Sequence, residues 1–292
     1  MKNKNYLNPC CSTNIKTRAP VLIDAKWREQ HSGIVLGSAG SGKTRFVQQE
    51  IQQILSSTTD DVIVIDTVGI GEYNTLCERM GGKLINVANS TEYYDNPLLS
   101  IWEATAKLWD VGPVGACERI EDYVLALCGS ALGEEDMSPT QKRMITRAVR
   151  YIIEPFVEKP QPNNGQETGP FPSLGDLREY FAGMIEMTTK EALEKYCYSK
   201  AVSDASAIID TLDKLTTNFR GIFSQETNSE LCSRVIVYNA GKNVSEYLKS
   251  TAALIALANA RTQAFRNSTE RKRTWIFIDD AHYIFNNRVF LS

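Results

Sequence analysis

A glycine-rich run of eight residues, Gly37-Ser-Ala-Gly-Ser-Gly-Lys-Thr44, restricts the local fold more than any other part of the sequence. An apolar run at Gly33–Gly37 leads into it, and apolar residues at helical spacing follow from Thr44 to Leu55. The pattern predicts a strand, a tight glycine turn and a helix in immediate succession. In such a turn, backbone N–H groups can surround an anion at the positive N-terminal end of the helix.

The same run matches the phosphate-binding pattern GxxxxGK[ST], in which the lysine and the hydroxyl have defined chemical uses. Lys43 is predicted to reach the β- and γ-phosphates of a nucleotide, and Thr44 to hold Mg²⁺ through its hydroxyl. The sequence therefore predicts a nucleotide site with Mg²⁺, in which Lys43 is also catalytic. The predicted nucleotide-binding residues are Gly37, Ser38, Ala39, Gly40, Ser41, Gly42, Lys43, Thr44 and Arg45.

A site that hydrolyses a nucleotide also needs an acid at a strand end to hold the Mg²⁺ shell. Asp66 ends one β-branched run and opens a DxxG pattern like that of GTPases, but it lies only 23 residues after Lys43. The guanine-reading pattern NKxD is absent from the sequence. Asp279, which ends the run Trp-Ile-Phe-Ile, is therefore the predicted metal ligand. Asp280 is predicted to polarise the attacking water, with a solvated strand-end acid as the alternative.

Strand and helix patterns alternate near both ends of the chain, which predicts an α/β fold with a mainly parallel sheet. Between them lies a long stretch with helical patterns and no convincing strand, which predicts a large all-helical insertion. The predicted parts are a polar tail at 1–20, an α/β part at 21–97, a helical subdomain at 98–223 and the returning α/β core at 224–292.

Helix boundaries inside the insertion are marked by capping patterns. Ser138 and Gln141, with Pro139 between them, predict the start of a helix, and Pro155 is predicted to end it. Ser173 and Asp176 resemble a second capping pair. Further along, 204–219 predicts an amphipathic helix because its apolar residues recur on one face.

The composition of the chain limits its possible binding partners and its cellular compartment. The chain has 292 residues, 42% of them hydrophobic, and a net charge of −3, which excludes a globally basic nucleic-acid binder. One predicted helix carries a basic cluster, which either lines a path for DNA or is a solvated helix face. The cluster consists of Lys142, Arg143, Arg147 and Arg150. Apolar runs of about 18 residues, the length of a membrane span, are absent from the sequence. Seven cysteines without a CxxC pair favour a reducing, cytoplasmic setting.

Three other residues follow predicted strand ends. Glu72 and Tyr73 come shortly after the strand that ends at Asp66, and His282 comes shortly after Asp279. Ligands bind at the carboxyl edge of open α/β sheets, so Glu72 and Tyr73 are either part of the site or ordinary loop residues. For His282 the alternatives are a contact with the site or a neighbouring subunit, and a structural residue near a strand end.

The order of these motifs resembles a known family. After the glycine-rich run come a Val-Ile-Val-Ile-Asp strand, Glu72-Tyr73, Gly81-Gly82, Asn96-Pro97-Leu98, the helical insertion and finally Ile-Asp-Asp-Ala-His282. This string is similar to the motor ATPases of conjugation and type IV secretion, the VirB-four-like branch of the HerA/FtsK superfamily. The resemblance covers nearly the whole chain, from about Pro20 to His282.

The resemblance implies a RecA-like P-loop fold, ATP as the nucleotide, and hydrolysis coupled to assembly of, or transfer through, a secretion channel. It implies a homo-oligomer, often a hexamer, that works with other type IV secretion subunits, and with DNA as a further partner. The expected location is cytoplasmic, peripheral at the cytoplasmic face of the membrane. By motif match, residues 37–44 bind the phosphates, Asp279 binds the Mg²⁺ shell and Asp280 stands for the catalytic glutamate.

The chain also departs from the family pattern. Asp66-Thr67-Val68 stands where the family has Asp-Pro-Glu, and the thirteen residues after Asp279 have no room for the family's sensor strand and arginine finger. We therefore expect a fragment or disrupted product, with a gap in the sheet between the Gly33–Gly37 strand and the Asp279 strand. A nucleotide-binding scaffold that does not hydrolyse, another FtsK-like DNA-translocating ATPase and a small kinase are the alternatives.

Overall fold

The structure is a computed structural model. It has a parallel sheet between two layers of helices, together with a separate antiparallel strand pair. The residues it describes are 7–13, 20–24, 32–88, 94–108, 110–132, 137–158, 170–195, 200–223, 233–241 and 244–285. The strands are β1 Leu7–Thr13, β2 Pro20–Asp24, β3 Asp61–Asp66, β4 Lys83–Asn86, β5 Val235–Asn239 and β6 Thr274–Asp279. The helices are α1 Lys43–Ser57, α2 Asn74–Arg79, α3 Pro97–Thr105, α4 Gly112–Leu132, α5 Pro139–Glu158, α6 Leu174–Lys195, α7 Lys200–Asn218, α8 Glu246–Thr269 and α9 His282–Phe285, with a 3₁₀ turn at Arg220–Phe223.

The central sheet has the order β4-β5-β3-β6, and all its neighbouring strands are parallel. Its carboxyl ends therefore share one edge, where Asp66 is in register with both Asn239 and Asp279. Every residue of β3 and β5 is buried, whereas every residue of β6, at the end of the sheet, is half-buried. The α/β fold with a mainly parallel sheet, predicted from the alternating patterns, is confirmed.

Each face of the sheet packs against its own helices because strand side chains alternate between the two faces. On one face, Val62 and Val64 of β3 pack with Ile51 of α1 and with Leu76 of α2. On the other face, Ile63 belongs to the larger core, to which α3, α4, α5, α6, α7 and α8 contribute. The sheet thus links the glycine-rich turn on α1 to the helical insertion on the opposite side.

Every secondary-structure element among the described residues between 98 and 223 is a helix. Ser138 and Gln141 form the predicted capping box, because each side chain bonds the backbone N–H of the other at 2.8 and 3.1 Å. The Asp176 carboxylate likewise accepts the Ser173 N–H at 2.7 Å at the start of α6. The prediction that Pro155 ends its helix is wrong: α5 continues to Glu158 with Pro155 inside it. Pro155 is exposed, so water can bond the backbone carbonyl that its ring leaves without a donor.

Two predictions for the N-terminal part need correction. The polar tail expected at 1–20 contains β1, which pairs antiparallel with β2. The strand expected at Gly33–Gly37 does not form: residues 32–38 are irregular, and Ile34 and Leu36 are 83% and 88% exposed. The physical reason is the lack of a neighbour. In the described residues β6 pairs only with β3, so nothing beyond β6 offers the backbone groups that a strand needs.

In the described part of the sheet, the outer edge of β6 has no neighbouring strand. Among the described residues, no helix combines the length and apolar character that crossing a membrane requires.

Candidate functional site

The glycine-rich turn lies directly at the N-terminus of α1. Gly40 and Gly42 have φ angles of +75° and +90°, a region that glycine enters without a steric penalty. Gly42 is the N-cap of α1 and has no side chain to bond the N–H groups of the first turn. Those N–H groups and the positive end of the helix are the elements that bind phosphate in glycine-rich turns.

Lys43 closes this turn from inside. Its ammonium donates hydrogen bonds to the carbonyl oxygens of Gly37 and Ser38 at 3.0 and 3.1 Å. A positive charge therefore lies against the concave side of the loop. A phosphate can replace the two carbonyls as the acceptor, because a charged acceptor makes the stronger hydrogen bond.

Thr44 and Asp279, 235 positions apart, meet at the carboxyl edge of the sheet. The Thr44 hydroxyl donates to Asp279 Oδ2 at 3.4 Å, and the Tyr73 hydroxyl donates to the same oxygen at 3.0 Å. Asp279 Oδ1 accepts the backbone N–H of Asp280 at 3.1 Å. A hydroxyl and a carboxylate side by side provide the oxygen donors that Mg²⁺ prefers, so the residues present fit the expected metal.

Asp66, the other strand-end acid considered as a metal ligand, lies in register with Asp279 on the neighbouring strand. It is 2% exposed, its Oδ1 accepts the Gly69 N–H at 2.8 Å, and its Oδ2 has no hydrogen-bond partner among the described residues. Burial raises the pKa of Asp66, and the charge of Asp279 adds to this effect. Thr44 bonds Asp279 and not Asp66, and the role of Asp279 as the metal ligand stays a prediction.

Asp280 has a backbone φ of +49°, and its side chain is exposed just past the end of β6. The Thr67 hydroxyl donates to the backbone carbonyls of Asp279 and Asp280 at 2.7 and 3.2 Å, which holds this bend against β3. The proposed role of Asp280 in polarising water stays a prediction. Arg45 and His282 are also exposed, and their roles stay predictions as well.

Sequence reasoning left Tyr73 open between a site residue and a loop residue and did not single out Thr67. In the structure, the Thr67 hydroxyl donates to the backbone carbonyl of Asp279, and the Tyr73 hydroxyl donates to its carboxylate. Two signals point to Tyr73 in the sequence: it is a polar aromatic residue a few positions after a buried strand, and Glu72-Tyr73 belongs to the motif string of the family resemblance. Glu72, the neighbour of Tyr73, is exposed, and its carbonyl accepts the Gln48 side chain of α1 at 2.8 Å.

The basic cluster on α5 divides into two groups. Lys142, Arg143 and Arg147 are exposed. Arg150 is exposed as well, but it also binds the carboxylate of Glu121 on α4 through two hydrogen bonds of 2.5 and 3.1 Å. The Glu121 side chain is 8% exposed, so Arg150 serves as the counter-charge of a buried acid.

The fold and the site together define a nucleotide-binding α/β domain of the P-loop class. The family model "Helicase HerA, central domain" matches residues 12–236, well over half of the chain, and the chain belongs to this family. The match includes the glycine-rich turn and the whole of the helical insertion, and it ends before Asp279 and Asp280.

A solved structure agrees with this assignment at the level of the fold. VirB4 of Thermoanaerobacter pseudethanolicus superimposes with a TM-score of 0.55 over 82% of this chain and 81% of that chain, at 17% identity. Curated protein sequences gave no match. The predicted membership of the HerA/FtsK superfamily, drawn from the order of the motifs, is confirmed by the family match, and the fold is similar to that of VirB4.

Proposed function

We propose that this chain binds ATP with Mg²⁺ and hydrolyses it as a motor domain for conjugative transfer of DNA or protein through a type IV secretion system. The meeting of Thr44 and Asp279 at 3.4 Å, beside the turn that Lys43 closes, carries this proposal. Family membership supports a nucleotide-driven role. The transfer role is carried over from the order of the motifs.

Each residue has a distinct task in this proposal. Lys43 exchanges the carbonyls of Gly37 and Ser38 for phosphate oxygens, and residues 38–42 supply backbone N–H groups. Thr44 and Asp279 hold Mg²⁺, which when bound neutralises charge on the transferred phosphate. Asp280 orients the attacking water from the edge of the site.

The proposed assembly is a homo-oligomer, a hexamer as in the family, together with other type IV secretion subunits at the cytoplasmic face of the membrane. DNA is a further proposed partner, through the exposed cations Lys142, Arg143 and Arg147. Salt-sensitive DNA binding that disappears when these three are replaced by alanine would favour a DNA-translocating role within the same family.

A second candidate is a nucleotide-binding module that does not hydrolyse ATP by itself. The observation that favours it is the segment 32–38, which lies outside the sheet with Ile34 and Leu36 exposed. A glycine-rich turn that no strand anchors is less well fixed for catalysis, which depends on placement to a fraction of an ångström. This candidate keeps nucleotide binding and predicts no turnover by the chain alone.

The test compares Lys43→Ala with Lys142→Ala, an equal loss of charge at an exposed position of α5. Binding of ATP and GTP with Mg²⁺ is measured by calorimetry, and phosphate release by a coupled assay. We expect Lys43→Ala to weaken ATP binding by about tenfold to a hundredfold, the worth of charge-assisted hydrogen bonds, and Lys142→Ala to have no effect.

The outcomes separate the candidates. Unchanged nucleotide binding in Lys43→Ala would refute the proposed site. Binding without phosphate release would favour the non-hydrolysing module, and a preference for GTP over ATP would contradict the choice of ATP.

A further inference from the structure

Tyr73 combines a fully buried ring with a hydroxyl that contacts the carboxylate of Asp279, the predicted Mg²⁺ ligand. The residue is 0% exposed, and its ring lies in the apolar cluster of α1, α2 and the sheet together with Ile51, Val64 and Leu76. Its hydroxyl donates to Asp279 Oδ2 at 3.0 Å.

The loop that carries Tyr73 is itself tied to both sides of the site. Gln48 of α1 donates to the carbonyl of Glu72 at 2.8 Å, one residue before Tyr73. The loop begins after Asp66, whose carboxylate accepts the N–H of Gly69 within it. Tyr73 thus reaches Asp279 from a segment attached both to the helix that carries Thr44 and to the strand next to Asp279.

The Asp279 carboxylate needs side-chain contacts to fix its orientation, because β6 is an edge strand in the described part of the sheet and its residues are only half-buried. A carboxylate has about four acceptor positions on its two oxygens. Tyr73 and Thr44 occupy those of Oδ2, and the Asp280 N–H takes one on Oδ1. The capacity left for a metal or its water shell therefore lies on Oδ1, and the contact from Tyr73 fixes which oxygen this is.

We propose that Tyr73 is a positioning residue that orients the Asp279 carboxylate for Mg²⁺. The inference rests on the proposed nucleotide site and assigns a task to a side chain outside the glycine-rich run and the Asp279-Asp280 pair. Outer contacts of this kind typically change metal affinity by about tenfold to a hundredfold. Tyr73 acts through Asp279, so its effect belongs to binding that depends on the metal and not to nucleotide binding as such.

The experiment removes the hydroxyl and keeps the ring, in Tyr73→Phe. The control is Tyr123→Phe, the same change at a buried tyrosine of α4 whose hydroxyl has no hydrogen-bond partner among the described residues. The affinity of the whole chain for a fluorescent, slowly hydrolysed ATP analogue is measured with Mg²⁺ and again with EDTA. The ratio of the two affinities reports the contribution of the metal.

We expect Tyr73→Phe to reduce this ratio by about tenfold while the affinity in EDTA and the thermal midpoint stay at wild-type values, and Tyr123→Phe to change neither. An unchanged ratio in Tyr73→Phe, with a normal Mg²⁺ effect in the wild type, would overturn the inference and leave the proposed function standing. An equal loss in EDTA, or an unfolded Tyr73→Phe chain, would assign the hydroxyl to stability and also overturn it. A wild-type chain that binds no analogue, or binds it without regard to Mg²⁺, would overturn the proposed metal-nucleotide site together with the inference.

Discussion

Asn96 is the residue whose loss we expect to damage the fold most for its size. Its side chain is fully buried, and its Oδ1 accepts the N–H groups of Leu98 and Leu99 at 3.2 and 3.4 Å as the N-cap of α3. Its Nδ2 donates to the carbonyls of Phe171 and Pro172 at 3.4 and 3.1 Å, just before α6. The Asn96 side chain thus caps α3 and attaches it to the segment just before α6.

The cost of Asn96→Ala follows from these four contacts. Losing an N-cap costs about 1 kcal/mol, and leaving a buried carbonyl without its donor costs about 1–3 kcal/mol. The two carbonyls share one donor group, so we expect a total of about 3 kcal/mol. Asn96→Asp keeps the capping oxygens but sets a carboxylate against the carbonyls of Phe171 and Pro172, so we expect a loss of about 2 kcal/mol at neutral pH.

Urea unfolding followed by tryptophan fluorescence and circular dichroism measures both losses. Ser245→Ala is the matched control, because Ser245 caps α8 from an exposed position with a single bond of 3.4 Å to Leu248. It should cost at most about 1 kcal/mol. The reasoning is refuted if Asn96→Ala costs no more than this control, and its second half is refuted if Asn96→Asp is as stable as the wild type.

Two further predictions concern buried ionisable groups. Asp66→Asn should raise the free energy of unfolding at pH 7: burial raises the pKa of Asp66 above its ordinary 3.8, so the native chain loses stability as pH rises through that range. The gain, measured by urea unfolding, should vanish at about pH 3, and an equal gain at both pH values would contradict the electrostatic cause. Burial also raises the pKa of Cys117 to about 11 and of Cys128 to about 12, so both thiols should resist maleimide at about pH 8 in the native chain and react in urea. Peptide mass mapping checks this, and native modification of Cys128 as fast as in urea would disprove it.

Local patterns predicted the elements whose formation depends on nearby residues. The apolar run that ends at Asp279 forms β6, and the capping pairs at Ser138 and Ser173 begin α5 and α6. Lys43 and Thr44 could be proposed as site residues for the same reason, since their motif is contiguous. Asn96-Pro97-Leu98 was noticed only as part of a family string, and the structure supplies its physical reason in the four hydrogen bonds of Asn96.

The wrong predictions depended on distant residues. Gly33–Gly37 has the composition of a strand, but a strand needs a partner, and β6 offers none on that side within the described part of the sheet. Pro155 carries a strong local stop signal. The buried Ile153 and the packing of Phe156 on Phe171, with ring centroids 4.7 Å apart, favour continuing α5 through it.

The edge position of β6 explains why the site depends on side chains outside its motif. A strand that has neighbours on both sides is held by two hydrogen-bonded ladders, whereas in the described residues β6 is held by the β3 ladder alone. Thr67 adds a second attachment by bonding the carbonyls of Asp279 and Asp280, and Tyr73 and Thr44 hold the carboxylate itself. Asp279 is thereby held by three hydroxyl groups. They come from Thr67 just after β3, from Tyr73 in the loop before α2 and from Thr44 on α1. An acid on a half-supported strand can therefore still present one defined oxygen to a metal.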